Sequence, residues 1–184
     1  MTKQAIRRSM LEKLRQQPEE ARVKKSRLIA ERVRRLTPYR KAKVLLCYVA
    51  IDGEVETRPI LTQALADGKR VAVPVTLEGT RLLAAVEVKD PEKELAFRGL
   101  FGIPEPAPIS RRRVAPKELD LILVPGVAFD RQGRRLGRGL GYFDRFLGKV
   151  PPAVPRIGLG FKFQLVKQIP FELHDQPVCK VVTD

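Results

Sequence analysis

Residues 125–145 read PGVAFDRQGRRLGRGLGYFDR and carry the densest set of side chains suited to chemistry. Gly137, Gly139 and Gly141 alternate there, which lets backbone N–H groups approach phosphate oxygens closely and lets the chain adopt positive φ. Arg134, Arg135 and Arg138 set guanidinium donors around the same turn. A helix starting near Tyr142 would point its positive N-terminus at the loop. Asp144, in the first turn of that helix, suits a magnesium ion held against phosphates, and Asp175 is a second carboxylate that only the fold can bring near it. There is no Gly-Lys-Ser/Thr, so this is not a Walker A loop, and G-x-G-x-G misses the Rossmann spacing. The plain alternative for the stretch is a mobile surface loop with a solvated basic face.

Other candidates lie outside that stretch. Lys3 and Arg7 are i, i+4 neighbours, so one helix face can offer two cations to a phosphate chain; the plain alternative is a solvated face. Glu54 follows a strand and can accept hydrogen bonds from ring N–H and amine donors, or simply serve as a turn acid in Asp52-Gly53-Glu54. Tyr142 can stack on a ring or pack. His174 reads as a structural hydrogen bonder, since it has no visible orienting partner. Cys47 and Cys179 sit beside apolar residues and read as buried structural thiols. No credible Ser/His/Asp or Cys/His nucleophilic set is present.

These residues need elements to position them. Residues 2–17 repeat Ile6, Met10 and Leu14 at helical spacing, and residues 19–36 form a second helix closed by Thr37-Pro38. Residues 44–49 are a continuous apolar run, a strand buried on both faces. Thr57 resembles an N-cap for a helix that Gly68 stops. Strands are expected at 71–75, 82–88, 119–124, 157–161 and 180–183, with a short helix at 142–147. A Pro/Gly-rich connection at 99–108 precedes the basic run 111–113. Strands alternating with helices predict one α/β domain: a mostly parallel sheet with helices on both faces and an N-terminal helical pair.

Length and composition agree. A chain of 184 residues, 43% apolar, can bury one core. It has no apolar run long enough for a membrane span and no signal-peptide core, so a soluble cytoplasmic protein is expected. The net charge of +15 attracts polyanions, nucleic acid included, but aromatics are only 6% and no zinc spacing or RNA-binding aromatic strand appears.

Residues 125–145 resemble the signature of the 5-formyltetrahydrofolate cyclo-ligase family, P-G-x-A-F-D-x-x-G-x-R-L-G-x-G-x-G-Y-Y-D-R. The resemblance extends to Lys3 and Arg7, to Gly53-Glu54-Val55-Glu56-Thr57, and to Gly102-Ile103-Pro104-Glu105-Pro106. It closes on His174-Asp175 and Val181-Val182-Thr183-Asp184. Phe143 stands where the family usually has a second tyrosine, and Leu140 where it often has glycine or lysine. The resemblance implies an enzyme that uses Mg-ATP to cyclise 5-formyltetrahydrofolate, with or without a polyglutamate tail, to 5,10-methenyltetrahydrofolate; a monomer is expected. It implies ATP contacts from Lys3, Gln4, Ala5, Ile6 and Arg7, and from Arg135, Leu136, Gly137, Arg138, Gly139, Leu140, Gly141 and Tyr142. Arg7 and Arg138 would be catalytic, Val49 and Glu54 would bind the folate, and Asp144 and Asp175 would hold magnesium. A paralogue acting on another carbonyl compound stays open, given Phe143 and Leu140.

Overall fold

The computed structural model describes residues 2–97, 99, 102–106 and 112–184, with the backbone alone at 96 and 97. Helix α1 (Lys3–Gln16) is capped by Thr2, whose hydroxyl accepts the Ala5 N–H at 3.2 Å, and it buries Ile6, Met10 and Leu14. Helix α2 (Glu19–Arg35) buries Ser26, Ile29 and Val33. Thr37-Pro38 does more than close α2: it opens a one-turn helix α3 (Thr37–Lys41), because proline suits a first turn. No helix among the described residues is long and apolar enough to cross a membrane.

Strand β1 (Val44–Cys47) leads through helix α4 (Arg58–Ala66) to β2 (Arg70–Thr76) and β3 (Leu83–Val88). Helix α5 (Pro91–Glu94), the short pair β4 (Ala96–Phe97) and β5 (Pro104–Glu105), and β6 (Arg113–Val114) follow. Then come β7 (Leu121–Pro125), a small hairpin of β8 (Ala128–Phe129) and β9 (Arg135–Leu136), helix α6 (Tyr142–Leu147), β10 (Arg156–Leu159) and β11 (Lys180–Val182). Seven strands form one sheet in the order β11-β10-β7-β1-β2-β3-β6. The first five are parallel, while β3 and β6 add an antiparallel edge. The chain steps from β1 to β2 on one side and later to β7 on the other. Their carboxyl ends diverge at that switch.

Alternation along the strands separates two cores. Leu45, Cys47, Val71, Val73, Leu121 and Leu123 pack with Ile29 and Val33 of α2 and with Ile60 and Leu61 of α4. The intervening Val44, Leu46, Ala72, Ile122 and Val124 pack with Phe146 and Leu147 of α6. Strands buried on both faces read as continuous apolar runs for this reason. A third cluster seats α1 on the β8–β9 hairpin, through Ile6, Met10, Val127, Ala128 and Leu136.

Three local expectations change. Thr57 makes no capping bond; its buried hydroxyl accepts the Ala50 N–H at 3.1 Å and ties the turn after β1 to α4. Cys47 is buried, but Cys179 is exposed, because it stands at the sheet's edge just before β11. Of the basic run, Arg111 lies outside the described residues, Arg112 pairs with Glu94, and Arg113 is exposed. The connection at 99–108 lies partly outside them too.

Candidate active site

The diverging ends of β1 and β7 open into a cavity of about 610 Å³, the place where open α/β sheets bind ligands. The turn after β1 forms one wall. Asp52 and Gly53 both have positive φ, 43° and 78°, and a Cβ on Gly53 would stand 2.3 Å from the Leu14 carbonyl oxygen. Only glycine lets this turn rest on the α1 backbone. It delivers Glu54 into the cavity at 8% exposure. Glu54 Oε2 accepts the Ile51 N–H at 3.2 Å, and Oε1 accepts Arg138 Nε at 3.1 Å. Burial pushes the Glu54 pKa up; Arg138 and the Ile51 N–H offset that only in part.

The segment after β7 builds the opposite wall, and it is more rigid than a glycine loop. Asp130, 2% exposed, accepts the backbone N–H groups of Gln132 and Arg134 at 3.0 Å and of Ile169 at 2.9 Å, and so holds the β8–β9 turn. Buried Gln164 donates to the carbonyls of Gly126 and Val127 at 2.7 and 3.1 Å. Beyond β9 the loop bends at Gly139 and Gly141, with φ of 112° and 67°. Arg7 Nε donates to the Gly137 carbonyl at 3.0 Å, and its guanidinium carbon lies 3.5 Å from where a Gly139 Cβ would stand. Arg145 fastens the far end through the carbonyls of Leu140 and Arg81, and the Tyr142 hydroxyl donates to the Thr80 carbonyl at 3.4 Å.

The two expected magnesium carboxylates are brought together. Asp144 Oδ1 accepts the N–H of Gln176, the residue after Asp175, at 3.1 Å. Each is also neutralised: Asp144 Oδ1 lies 2.6 Å from Arg135 Nη2, and Asp175 Oδ2 lies 2.6 Å from Lys3 Nζ, which reaches Glu172 at 3.0 Å. For Asp175, burial works to raise the pKa, but hydrogen bonds from Lys3 and the Glu172 N–H outweigh it and hold the carboxyl below its usual range. Among the described residues no three His, Cys, Asp or Glu side chains converge to hold a metal unaided. The pair fits an ion that takes one or two carboxylates and completes its shell with phosphate and water oxygens.

Known proteins share a similar sequence and fold. The profile described as the 5-formyltetrahydrofolate cyclo-ligase family matches residues 1–184. The chain belongs to this family. It is 35% identical over 157 residues to a probable 5-formyltetrahydrofolate cyclo-ligase of Caenorhabditis elegans, covering 78% of this chain and 74% of that protein. It is 34% identical over 160 residues to the 5-formyltetrahydrofolate cyclo-ligase of Escherichia coli K12, covering 84% and 85%. The Aquifex aeolicus 5,10-methenyltetrahydrofolate synthetase structure superposes with a TM-score of 0.85 at 34% identity, covering 100% of this chain and 90% of that one. The protein is therefore an enzyme of the cyclo-ligase family.

Set beside the family-derived expectations, the cavity gathers Lys3, Arg7, Val49 and Glu54. It also takes in Arg135, Leu136, Gly137, Arg138, Gly139, Leu140, Gly141 and Tyr142, together with Asp144 and Asp175. Gln4, Ala5 and Ile6 are not among its lining residues. A helix turns about 100° per residue, so the face carrying Lys3 and Arg7 leaves Gln4 and Ala5 exposed elsewhere and Ile6 in the third core cluster. His174 is exposed, with Nε2 3.5 Å from Glu172. Sequence reasoning passed over Asp52, Glu172 and the walls from β2 and β3, Pro74, Thr76 and Leu83. Glu105 had a signal, its family motif. Its carboxylate accepts the Thr76 N–H at 3.1 Å and anchors the segment bearing Ile103 at the cavity.

Proposed function

We propose that this enzyme converts 5-formyltetrahydrofolate and Mg-ATP into 5,10-methenyltetrahydrofolate, ADP and phosphate within this cavity. One observation carries the reading: a single cavity is bounded by the glycine loop with Arg7 on one side and by the buried Glu54 carboxylate on the other. The first wall offers cations and backbone N–H groups to a triphosphate. The second offers acceptor oxygens to the amine and ring N–H donors of a pterin, beside the apolar side chain of Val49.

An amide-like formyl group is a poor electrophile with a poor leaving group. In the proposed reaction its oxygen attacks the γ-phosphorus, the bond to the bridging oxygen breaks, and ADP leaves. The N10 amine then attacks the formyl carbon and gives up its proton, and the C–O bond breaks to release phosphate as the ring closes. Such chemistry asks the protein for in-line positioning and charge compensation rather than covalent participation. Arg7, braced by the Gly137 carbonyl, and Arg138 face the transferring phosphoryl oxygens in this reading. Asp144 and Asp175 would hold magnesium, which when bound compensates the β- and γ-phosphate charge.

The test is an absorbance assay for the methenyl chromophore from 5-formyltetrahydrofolate, ATP and magnesium. Product should form only with all three. Product without ATP, or none with the complete mixture, overturns the reading.

A further inference from the structure

We infer that Asp52 is a positioning residue: with Glu54 it latches Arg138 to the pterin side of the cavity, so both substrates must open one latch and each favours the other's binding. The inference rests on the functional reading above.

Arg138 bridges the two walls. Its Nε is 3.1 Å from Glu54 Oε1 and its Nη1 is 3.0 Å from Asp52 Oδ2. The third nitrogen, Nη2, is buried with no hydrogen-bond partner among the described residues. The guanidinium is thus held firmly by two carboxylates yet left one donor short, and a buried donor without a partner is costly. This site holds Arg138 without satisfying it.

Asp52 points to the same conclusion independently. It is the one non-glycine residue with positive φ among the described residues, at 43°. Aspartate tolerates the left-handed region better than most residues, but a strained backbone persists only where its surroundings over-determine it. Two contacts do so: Gly53 is pressed against the Leu14 carbonyl, and the Asp52 carboxylate is drawn to Arg138.

Both Glu54 oxygens are occupied, one by the Ile51 N–H and one by Arg138. A pterin donor reaching Oε1 must displace the guanidinium. Gly137 and Gly139 flank Arg138, the latter at φ 112°, so the loop can swing while Arg7 keeps its hold on the Gly137 carbonyl. A triphosphate that engages Arg138 must likewise draw it off Glu54 and Asp52. The latched arrangement serves neither ligand fully, so each ligand shifts the population toward release. Thermodynamic linkage then makes the enhancement equal in both directions. For an ion pair of this partial exposure, an enhancement of about fivefold is the expected scale.

The experiment is titration calorimetry of the whole protein with the β,γ-imido analogue of Mg-ATP and with 5-formyltetrahydrofolate, each alone and with the other saturating. In the wild type each ligand should tighten the other by about fivefold. Asp52→Asn removes the charge while tolerating positive φ, and Asp52→Gly removes the carboxylate and the strain together. In both variants each ligand alone should bind about two- to threefold tighter, and the mutual enhancement should fall by the same factor, to about twofold, because Glu54 still holds Arg138. A purely structural Asp52 would instead weaken both ligands and leave the enhancement intact, which sinks the latch. Unchanged enhancement with unchanged affinities sinks it equally, while leaving the cyclo-ligase reading standing. If the wild type bound neither ligand, the functional reading would fall and the latch with it.

Discussion

The ring of Phe129 occupies the space that a side chain at Gly158 would need: its Cε1 lies 2.5 Å from the place of a Cβ there. Gly126 and Gly160 border the same ring, with Cβ positions 2.4 and 3.0 Å from it. Phe129 is fully buried in strand β8, while Gly158 belongs to β10 and Gly126 follows β7. Three glycines therefore let one aromatic ring lock the site-bearing hairpin onto the ends of two sheet strands.

Gly158→Ala should consequently destabilise the protein by about 1–3 kcal/mol, the usual range for forcing extra volume into a packed core. Phe129→Leu in the Gly158→Ala background should recover part of that loss by vacating ring volume. Thermal midpoints of the single and double variants give the answer. A double variant no more stable than Gly158→Ala would show that the clash with Phe129 is not the cause.

Asp130→Ala should cost about 2–3 kcal/mol, because it strands the buried Ile169 N–H at roughly 1–3 kcal/mol and also removes the half-buried bonds from the Gln132 and Arg134 N–H groups. Chemical denaturation measures it. A loss under about 1 kcal/mol would mean that water replaces the carboxylate without penalty.

Asp144→Asn has two expected consequences. The Arg135 side chain, 2% exposed, loses its charged partner, so stability should fall by about 3 kcal/mol. For a chain of this size that is roughly 6 to 12 °C in Tm. The magnesium concentration for half-maximal turnover should also rise. A lower Tm with unchanged magnesium dependence would leave Asp144 as the counterion of Arg135 alone.

Arg7→Ala and Glu54→Gln should separate the two ends of the cavity. Arg7→Ala is expected to lower kcat/KM by about 10²-fold, or about 2.7 kcal/mol at 1.36 kcal/mol per tenfold, through kcat and the ATP KM. Glu54→Gln trades one acceptor oxygen for a donor, and should raise the folate KM without raising that of ATP. Steady-state kinetics varying each substrate in turn decide it; the opposite pattern in Glu54→Gln would invert the assignment.

Glu54 also makes a pH prediction. Its folded pKa is raised above the unfolded value by burial, so the ionised form subtracts from stability above the folded pKa, and that penalty fades as pH falls through it. Glu54→Gln should therefore match or exceed the wild-type Tm at neutral pH, with the gap narrowing on acidification toward the ordinary glutamate range. A gap that widens on acidification contradicts the direction of the shift.

What could be read from the chain alone was whatever repeats locally. Helical spacing of Ile6, Met10 and Leu14 marked α1, and the run at 44–49 announced a strand that the structure ends at Cys47. Helix α6 spans Tyr142–Leu147 as expected, and the ordered motifs carried the family. Side-chain chemistry was legible in kind: cations, a glycine loop and isolated carboxylates. The partners were not. Lys3 meets Asp175 and Arg138 meets Glu54 across separations of 172 and 84 residues, and no local pattern encodes such a pairing. Thr57 had a capping residue's context, yet its hydroxyl went to the Ala50 N–H that the fold placed beside it. Periodicity reports which face of an element is apolar, because burial acts on every residue of a stripe. A single charge goes to whichever opposite charge or unpaired backbone group the packed chain brings within reach, and only the tertiary structure decides that.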